Sequence, residues 1–360
     1  MKFLVLPGDG IGPEIVAASL DVLRVTDARF KLGITLEMDC IGFESLHAHG
    51  TTLRSEVVEK ARVADGIILG AISHADYPPP DQGGRNISAA FRVGLDLYAN
   101  VRPARSRPFL ETNMKPGKTM DLVIMREATE GFYADRNMAR GSGEMMPNLD
   151  MALAMRKITR HASMRIARRG FELAMTRRKR VTAIHKANCF HLTDGLFLEC
   201  TRAVAAEFPQ IAYDELLVDA ATAHLVRTPE RFDVLVCTNF FGDILSDLAS
   251  ELSGSLGLAG SVMAGETLCC AQAQHGSAPD IAGQDKANPV SMILSVAMLV
   301  KWLGDQRGLA NFSAAGAAME QAVDAALANP ATRTADLGGS GGCKAVGAAI
   351  AALMAARVAA

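Results

Sequence analysis

The chain has 360 residues, which is long for one hydrophobic core and favours two domains or one large domain with a lobe. Hydrophobic residues make up 49% and charged residues 21%, as in ordinary globular proteins. The formal net charge of −2 argues against a protein that coats nucleic acid or an anionic membrane, so we expect neither as a partner.

Apolar runs and helical patterns alternate along the chain. The first run, Phe3–Leu6, is followed by a glycine-rich turn and a helix that begins near Pro13, whose missing N–H suits a first helical turn. Further buried-strand candidates are Gly66–Gly70, Leu122–Met125, Val181–Ile184, Glu215–Asp219 and Val234–Cys237, with helical patterns at Met151–Leu173 and Thr193–Phe208. This alternation predicts α/β architecture with substantial parallel pairing.

Three other segments have a distinct composition. Ala75–Gly84 is rich in proline and glycine and predicts a surface loop. Asp135–Asn148 is polar and rich in glycine and methionine, so we expect a loop that is either an insertion or an arm that reaches a partner subunit. Pro289–Leu303 is the most apolar stretch, but it is shorter than the roughly 20 residues that a bilayer span needs and predicts a buried core helix.

The cysteines give no sign of a metal or disulfide framework. The seven cysteines show no CxxC pair and no zinc-ligand spacing. The apolar run at the N-terminus has about five residues, too few for the core of a signal peptide. We therefore expect reduced thiols, mostly buried as small hydrophobic side chains, in a cytoplasmic protein.

The first glycine-rich turn, Gly8–Gly12, lies between a strand and a helix, where a phosphate-binding loop would lie. It does not read GxGxxG, and no acidic residue completes a dinucleotide-binding unit. A structural turn is therefore the favoured interpretation.

A pair of aspartates suggests a metal site. Asp243 and Asp247 are four residues apart in FFGDILSDLAS and would share one face of a helix. Magnesium and manganese take oxygen ligands of this kind, whereas the alternative is a solvated acidic face. Asp219 ends the strand-like run ELLVD, a usual location for site residues in α/β folds.

Basic residues form a second set. Arg92 and Arg102 lie ten residues apart in FRVGLDLYANVRP, and Arg126 comes just after a predicted strand. The planar guanidinium of arginine pairs with carboxylates through two hydrogen bonds. Each one alone is more often a partner in a surface ion pair, so the interpretation requires that they converge. Lys186 and Tyr133 are candidate proton-transfer groups.

Together these segments resemble the β-decarboxylating dehydrogenases, which include isopropylmalate, isocitrate, homoisocitrate and tartrate dehydrogenases. The resemblance follows the order of the family and spans nearly the whole chain, in LPGDGIGPE (Leu6–Glu14), DLYANVRP (Asp96–Pro103), REATEGFY (Arg126–Tyr133), HKAN (His185–Asn188), TNFFGDILSD (Thr238–Asp247) and HGSAPDIAGQDKANP (His275–Pro289). It implies an isopropylmalate dehydrogenase-like two-domain α/β fold with a largely parallel central sheet, not a Rossmann fold.

The resemblance also implies the domain limits and the assembly. Residues 1–98 and 255–360 would form a discontinuous cofactor-binding domain. Residues 99–254 would form a substrate and dimerisation domain with an arm near 135–148. The enzyme would be a homodimer whose active sites are each built from both subunits.

By resemblance, the site residues take the following roles. Arg92, Arg102 and Arg126 would hold the malate carboxylates of a hydroxy di- or tricarboxylate. Asp243, Asp247 and the other subunit's Asp219 would bind magnesium or manganese. Lys186 from the other subunit would deprotonate the hydroxyl, and Tyr133 would help to reprotonate the enol. The residues expected around NAD are His275, Gly276, Ser277, Ala278, Asp280, Ile281, Asn288 and, near the nicotinamide, Asn239.

The sequence departs from the family pattern at several positions. Ala128 and Ala220 replace asparagines, and Gln272 and Ala273 replace a glutamate and a proline. None of these removes a residue with a named catalytic role, so we expect an active enzyme. The alternatives are a tartrate- or malate-type dehydrogenase and, less favoured, a regulatory isocitrate dehydrogenase subunit.

The segment before Arg92 is expected to contact the C3 substituent of the substrate. It contains Arg85, Asn86 and Ser88, and Ser88 and Ala89 are too small for the apolar wall of isopropylmalate enzymes. Burying unpaired polar groups against an isopropyl group would cost roughly 1–3 kcal/mol each. We therefore expect a substituent with a carboxylate or another polar arm.

Overall fold

The structure is a computed structural model, and it describes residues 1–133, 138 and 143–356. The strands are β1 (Lys2–Leu6), β2 (Thr35–Met38), β3 (Gly66–Leu69), β4 (Ala99–Arg105), β5 (Asp121–Glu127), β6 (Glu144–Asn148), β7 (Met151–Ala154), β8 (Arg180–His185), β9 (Ala212–Leu217), β10 (Val234–Cys237), β11 (Val262–Ala264) and β12 (Cys269–Gln272). The helices are α1 (Gly12–Phe30), α2 (Gly42–His49), α3 (Ser55–Val63), α4 (Ile87–Gly94), α5 (Arg160–Met175), α6 (Thr193–Glu207), α7 (Val218–Arg227), α8 (Asn239–Ser253), α9 (Val290–Arg307), α10 (Ala310–Ala328) and α11 (Cys343–Ala356).

The chain divides into two compact units. The first contains Met1–Phe91, Arg107–Glu111 and Gly254–Ala360, and the second contains Arg92–Ser106 and Thr112–Ser253. The first division therefore falls inside α4, seven residues before the limit expected after residue 98, and the last falls between residues 253 and 254.

The first unit is built on a mostly parallel sheet. Its strand order is β2-β1-β3-β12-β11. Of the strand pairs described within this unit, only β11–β12 is antiparallel. This order differs from the usual Rossmann order, as predicted. Helix α9 is buried along most of its length, so the apolar stretch Pro289–Leu303 is a core helix and that prediction is confirmed. Of the helices described, none is both long enough and apolar enough to span a membrane.

The second unit has the strand order β4-β5-β10-β8-β9, with β4 antiparallel to β5 and the other pairs parallel. Strand β10 is buried on both faces. Val234 and Val236 belong to a core cluster with α5 and α6, whereas Leu235 and Cys237 belong to a cluster with α7 and α8. A strand covered on both sides has no polar face, which explains its continuous apolar sequence.

Several predicted elements are confirmed and two are wrong. The run Val234–Cys237 is β10, and Thr193–Phe208 is α6 to within one residue. The run Glu215–Asp219 is not one strand, because β9 ends at Leu217 and Asp219 lies in the first turn of α7.

The second error concerns the predicted helix Met151–Leu173. Its first residues form β7, which pairs antiparallel with β6 in an exposed hairpin, and α5 begins only at Arg160. The predicted arm overlaps this hairpin at Glu144–Asn148, which is a strand rather than a loop. Residues 135–137 and 139–142 of that arm lie outside the described residues.

Candidate active site

Two buried arginines on neighbouring antiparallel strands form the centre of the candidate site in the second unit. Arg102 lies on β4 and Arg126 on β5, and only 2% of Arg126 is exposed. The Arg102 Nε donates a hydrogen bond to Asn100 Oδ1 at 2.7 Å. Burying two cations side by side is unfavourable unless anions pair with them.

Helix α8 provides that anion. Asp243 Oδ1 accepts hydrogen bonds from Nη1 of Arg102 (3.0 Å) and from Nη1 of Arg126, and Asp247 Oδ1 lies 3.6 Å from Arg102 Nη1. The side chains of Asp243 and Asp247 are 35% and 55% exposed, so both carboxylates remain accessible. The i, i+4 spacing therefore places two carboxylates on one face beside the arginines.

Helix α8 can approach the arginines because residue 242 is glycine. A Cβ added to Gly242 would lie 2.8 Å from Cβ and Cγ of Arg126, closer than two carbon atoms can approach without contact strain. The glycine that precedes Asp243 in the FFGD sequence thus allows the ion pair to form.

The paired charges also affect the acidity of Arg102. The pKa of Arg102 is lowered to about 10, first by burial and then by the charge of Arg126, while Asp243 and Asp247 oppose the change. Arg102 is still a cation at neutral pH. A cation that is poorly solvated and close to a second cation attracts an incoming carboxylate strongly.

Asn239, at the start of α8, holds Arg126 in place. Its Oδ1 accepts hydrogen bonds from Nε (3.0 Å) and Nη2 (2.6 Å) of Arg126. The Asn239 side chain is buried, and its Nδ2 has no hydrogen-bond partner among the residues that the structure describes. In this chain Asn239 therefore contacts the arginine cluster directly.

A second pair of charged residues lies at the ends of β8 and β9. Lys186 follows β8, and its Nζ donates to Asp219 Oδ1 at 2.8 Å. Asp219 lies in the first turn of α7, where the helix dipole favours a negative charge. The hydrogen bond from Lys186 lowers the pKa of Asp219, and the same bond raises the pKa of Lys186.

The three predicted metal ligands are not all brought together in one chain. In the described part of a single chain, Asp219 does not join Asp243 and Asp247 in a group of closely spaced ligand atoms. The group of three that does occur there is Glu14, Asp285 and Cys343, in the first unit.

The loop after β5 is fixed by two buried carboxylates. Glu127 accepts hydrogen bonds from the amides of Thr129 and Glu130 at 2.8 and 2.9 Å. Glu130 accepts from the amide and the hydroxyl of Thr159 at 2.8 and 2.9 Å. The loop leads to Tyr133, which is partly buried.

In the first unit the glycine turn packs against the HGSAPD segment. The Ile11 amide donates to the Ser277 carbonyl at 2.8 Å, and a Cβ on Gly10 would lie 2.1 Å from that oxygen. Asp9 accepts hydrogen bonds from the amides of Phe43 (2.8 Å) and Ser73 (3.0 Å). The Asp9 side chain is thus used for hydrogen bonds within the protein, which agrees with the prediction that Gly8–Gly12 is a structural turn.

The predicted NAD-binding residues other than Asn239 belong to one stretch of the first unit, from His275 to Asn288. Ala278 has a left-handed conformation with φ of 38°, and Asp280 is exposed in the short helix Pro279–Ile281 that follows. Gly276 is also exposed, while burial lowers the pKa of His275 and favours its neutral form. Asn288 is buried and has a structural contact, because its Oδ1 accepts from the Val290 amide at the start of α9.

The predicted substrate-selecting residues also have partners within the first unit. Asn86 Oδ1 accepts from the Ala89 amide and caps α4, while Arg85 Nη1 donates to the Leu53 carbonyl at 3.0 Å. Ser88 Oγ and the Gln272 amide lie within hydrogen-bond distance at 3.2 and 3.3 Å. Arg92 is buried in the last turn of α4.

Sequence reasoning missed one group of residues completely. Arg156 pairs with the buried Asp194, and three phenylalanines surround its guanidinium. Neither residue belongs to a motif, and the phenylalanines are far apart in sequence. A buried cation without an acidic neighbour in the sequence gives no local signal of its ion pair.

Buried arginines beside accessible carboxylates in an α/β fold form a site suited to a small anionic substrate. The family model for isocitrate/isopropylmalate dehydrogenase matches residues 2–350. The chain is 41% identical over 341 residues to the isocitrate/homoisocitrate dehydrogenase of Thermus thermophilus, with 94% of each chain covered. It is 39% identical over 340 residues to the 3-isopropylmalate dehydrogenase of Archaeoglobus fulgidus, with 94% and 95% covered.

The fold is similar to that of a solved relative as well. The crystal structure of isocitrate dehydrogenase from Methylococcus capsulatus superimposes with a TM-score of 0.86 at 36% identity, over 98% of this chain and 99% of that chain. The chain therefore belongs to the isocitrate/isopropylmalate dehydrogenase family, as its motifs predicted.

Proposed function

We propose that this enzyme uses NAD and a divalent cation to oxidise and decarboxylate a 3-substituted malate. The observation that carries the proposal is the pair of buried arginines, Arg102 and Arg126, that share the Asp243 carboxylate. A substrate carboxylate can replace Asp243 as their partner, and the planar guanidinium favours such an exchange.

The donor sets fit the two groups that the reaction needs. Asp243, Asp247 and Asp219 are accessible oxygen ligands and would hold magnesium or manganese. The cation would supply positive charge to the C2 oxygen as negative charge develops there. The exposed Asp280 would accept hydrogen bonds from the adenosine ribose of NAD, next to the neutral His275.

The chain's own residues bind the substrate and move protons. Arg92, Arg102 and Arg126 hold the malate carboxylates. Lys186 takes the proton from the C2 hydroxyl. The hydrogen bond with Asp219 raises the pKa of Lys186, so this ion pair has to open before the amine can act as a base. Tyr133 returns a proton to C3 after carbon dioxide has left.

The active enzyme is a homodimer with shared sites. Two features support this: Met146 and Leu149 are exposed on the β6–β7 hairpin, and Phe240 and Ile244 are exposed on α8. Large apolar side chains that cluster on a surface mark interaction sites. Because Asp219 does not join Asp243 and Asp247 within the described part of one chain, we assign Asp219 and Lys186 to the partner's site.

The C3 substituent of the substrate is polar. The hydrogen-bonded pair Ser88 and Gln272 supports this, because the pair keeps a second amide N–H and further acceptor sites that a polar arm can bond and an isopropyl group cannot. We also assign the enzyme to the cytoplasm, since all seven cysteines are free thiols.

A panel of substrates tests the function. Isopropylmalate, isocitrate, homoisocitrate, tartrate and malate are compared by kcat/KM for NADH formation, with carbon dioxide measured in parallel. We expect equal amounts of NADH and carbon dioxide and a tricarboxylate as the best substrate. NADH without carbon dioxide would indicate the malate-type alternative, and no NADH with any of these acids would refute the proposal.

Mixed dimers test the shared site. Lys186→Ala and Arg126→Ala should each be inactive, and exchange of their subunits should restore activity because one intact site is formed. If subunit exchange is confirmed and no activity returns, the assignment of Lys186 to the partner's site is wrong.

A further inference from the structure

Arg156, between β7 and α5, lies in a cage of aromatic rings in the second unit. Its guanidinium carbon is 5.0 Å from the ring centre of Phe190, 5.1 Å from that of Phe241 and 5.6 Å from that of Phe132. Only 6% of its side chain is exposed. A cation removed from water and held against ring faces has few alternative positions, so Arg156 is rigidly placed.

The ion pair and the hydrogen bonds of Arg156 reach the first turn of α6 and the residue that precedes α8. Nη1 lies 2.5 Å from Asp194 Oδ1 and donates to Thr193 Oγ1 at 2.9 Å, both in the first turn of α6. Nη2 donates to Thr238 Oγ1 at 3.1 Å, one residue before Asn239. One guanidinium therefore joins the start of α6 to the start of α8.

Asp194 links Arg156 to Lys186. Its side chain is fully buried, and while Oδ1 pairs with Arg156, Oδ2 accepts the backbone N–H of Lys186 at 2.6 Å. This bond fixes the turn in which Lys186 leaves β8, and so fixes the origin of its side chain. Without Arg156 the buried carboxylate would be unpaired, and it would have to take up a proton or turn towards water.

We propose that Arg156 is a positioning residue for the dehydrogenase reaction, acting through Asp194 on Lys186 and through Thr238 on the start of α8. This inference rests on the proposed function, in which Lys186 is the base. The partners of Arg156 are Asp194, Thr193, Thr238 and three phenylalanines, and none of these is a residue that we assign to substrate or cofactor binding. Its contribution is to hold a reacting group in place, and a displacement of about 1 Å can lower a rate roughly 100-fold.

The test compares Arg156→Met, Arg156→Lys and Asp194→Asn with the wild-type dimer. Arg168→Met is the matched control, because Arg168 lies in an exposed ion pair with Glu207 on the same unit. We expect Arg156→Met to lower kcat per folded molecule about 100-fold while KM for substrate and NAD changes less than about twofold. Arg156→Lys keeps one cation for Asp194 and should recover part of the loss.

A double variant separates positioning from general stability. If Arg156 acts through Asp194, then Arg156→Met combined with Asp194→Asn should have nearly the same kcat as the slower single variant. A purely structural role would lower the melting temperature and leave kcat per folded molecule unchanged. Should Arg156→Met fail to fold, Arg156→Lys and Asp194→Asn carry the same comparison.

The outcomes are distinct from those for the proposed function. Wild-type kcat per folded molecule in Arg156→Met, or in both milder variants, overturns the positioning role while the enzyme remains a dehydrogenase. A wild-type protein that reduces no NAD with any malate overturns the function itself.

Discussion

Replacing Glu130 by glutamine should change how the stability of the protein depends on pH. Burial raises the pKa of Glu130 to about 7, and the nearby Glu127 carboxylate contributes to this rise, although the hydrogen bonds from Thr159 oppose it. In the unfolded chain the carboxyl titrates near its ordinary value of 4.5. The native state therefore binds the proton more tightly than the unfolded state does.

The direction of the effect follows from this difference. The stability that the protonated carboxyl contributes is complete below pH 4.5, is lost as the pH rises towards 7, and stays lost above pH 7. Between pH 5 and pH 8 the loss amounts to about 2.5 kcal/mol for a single group with these two pKa values. Glutamine keeps an acceptor for the Thr159 amide and a donor for its hydroxyl, and it does not titrate.

Urea unfolding at pH 5 and pH 8 measures the effect. We expect Glu130→Gln to gain about 2.5 kcal/mol relative to the wild type as the pH is raised from 5 to 8. Glu172→Gln, which removes an exposed carboxylate on α5, controls for the change in charge. A free-energy difference between Glu130→Gln and wild type that is the same at both pH values would show that burial does not raise the pKa of this group.

Three further predictions concern the site. EDTA should abolish activity, and magnesium or manganese should restore it. Asp243→Asn should lower kcat roughly 100-fold with an unchanged circular dichroism spectrum. Full activity in metal-free buffer would refute the metal assignment. NAD should be preferred over NADP more than about 100-fold in kcat/KM because Asp280 repels a 2′-phosphate. Asp280→Lys should reduce that preference. Equal use of both cofactors by the wild type would contradict the role of Asp280. Gly242→Ala should lower the free energy of unfolding by about 1–3 kcal/mol and raise KM for the substrate, because the added Cβ displaces Arg126. A wild-type free energy of unfolding together with a wild-type KM would exclude the close approach of α8 to Arg126.

Sequence reasoning works best where one element carries its own signal. The apolar run Val234–Cys237 is buried on both faces, so its sequence alone marks it as a strand. The aspartates of α8 were likewise predicted to share a face from their spacing, and Asp243 and Asp247 both approach Arg102. Local periodicity was sufficient in both cases.

It fails where distant segments determine the outcome. Met151–Ala154 was predicted as helix. Its apolar residues suit a helix or a strand, and it forms a strand because it pairs with β6. Asp219 was expected at the end of a strand, but α7 begins directly after β9 with no loop between them. The environment of Arg156 depends on residues from Phe132 to Phe241 that only the tertiary structure brings together.

Helix α8 carries charged site residues and exposed apolar residues on one element. Asp243 faces the buried arginines, while Phe240 and Ile244 are exposed. If that exposed face is the subunit contact we propose, ligand binding and dimerisation are thermodynamically linked through this helix. If the substrate changes the dimer dissociation constant by a certain factor, then its affinities for the dimer and for the monomer must differ by that same factor. At low enzyme concentration, saturation curves would consequently depend on the amount of protein present.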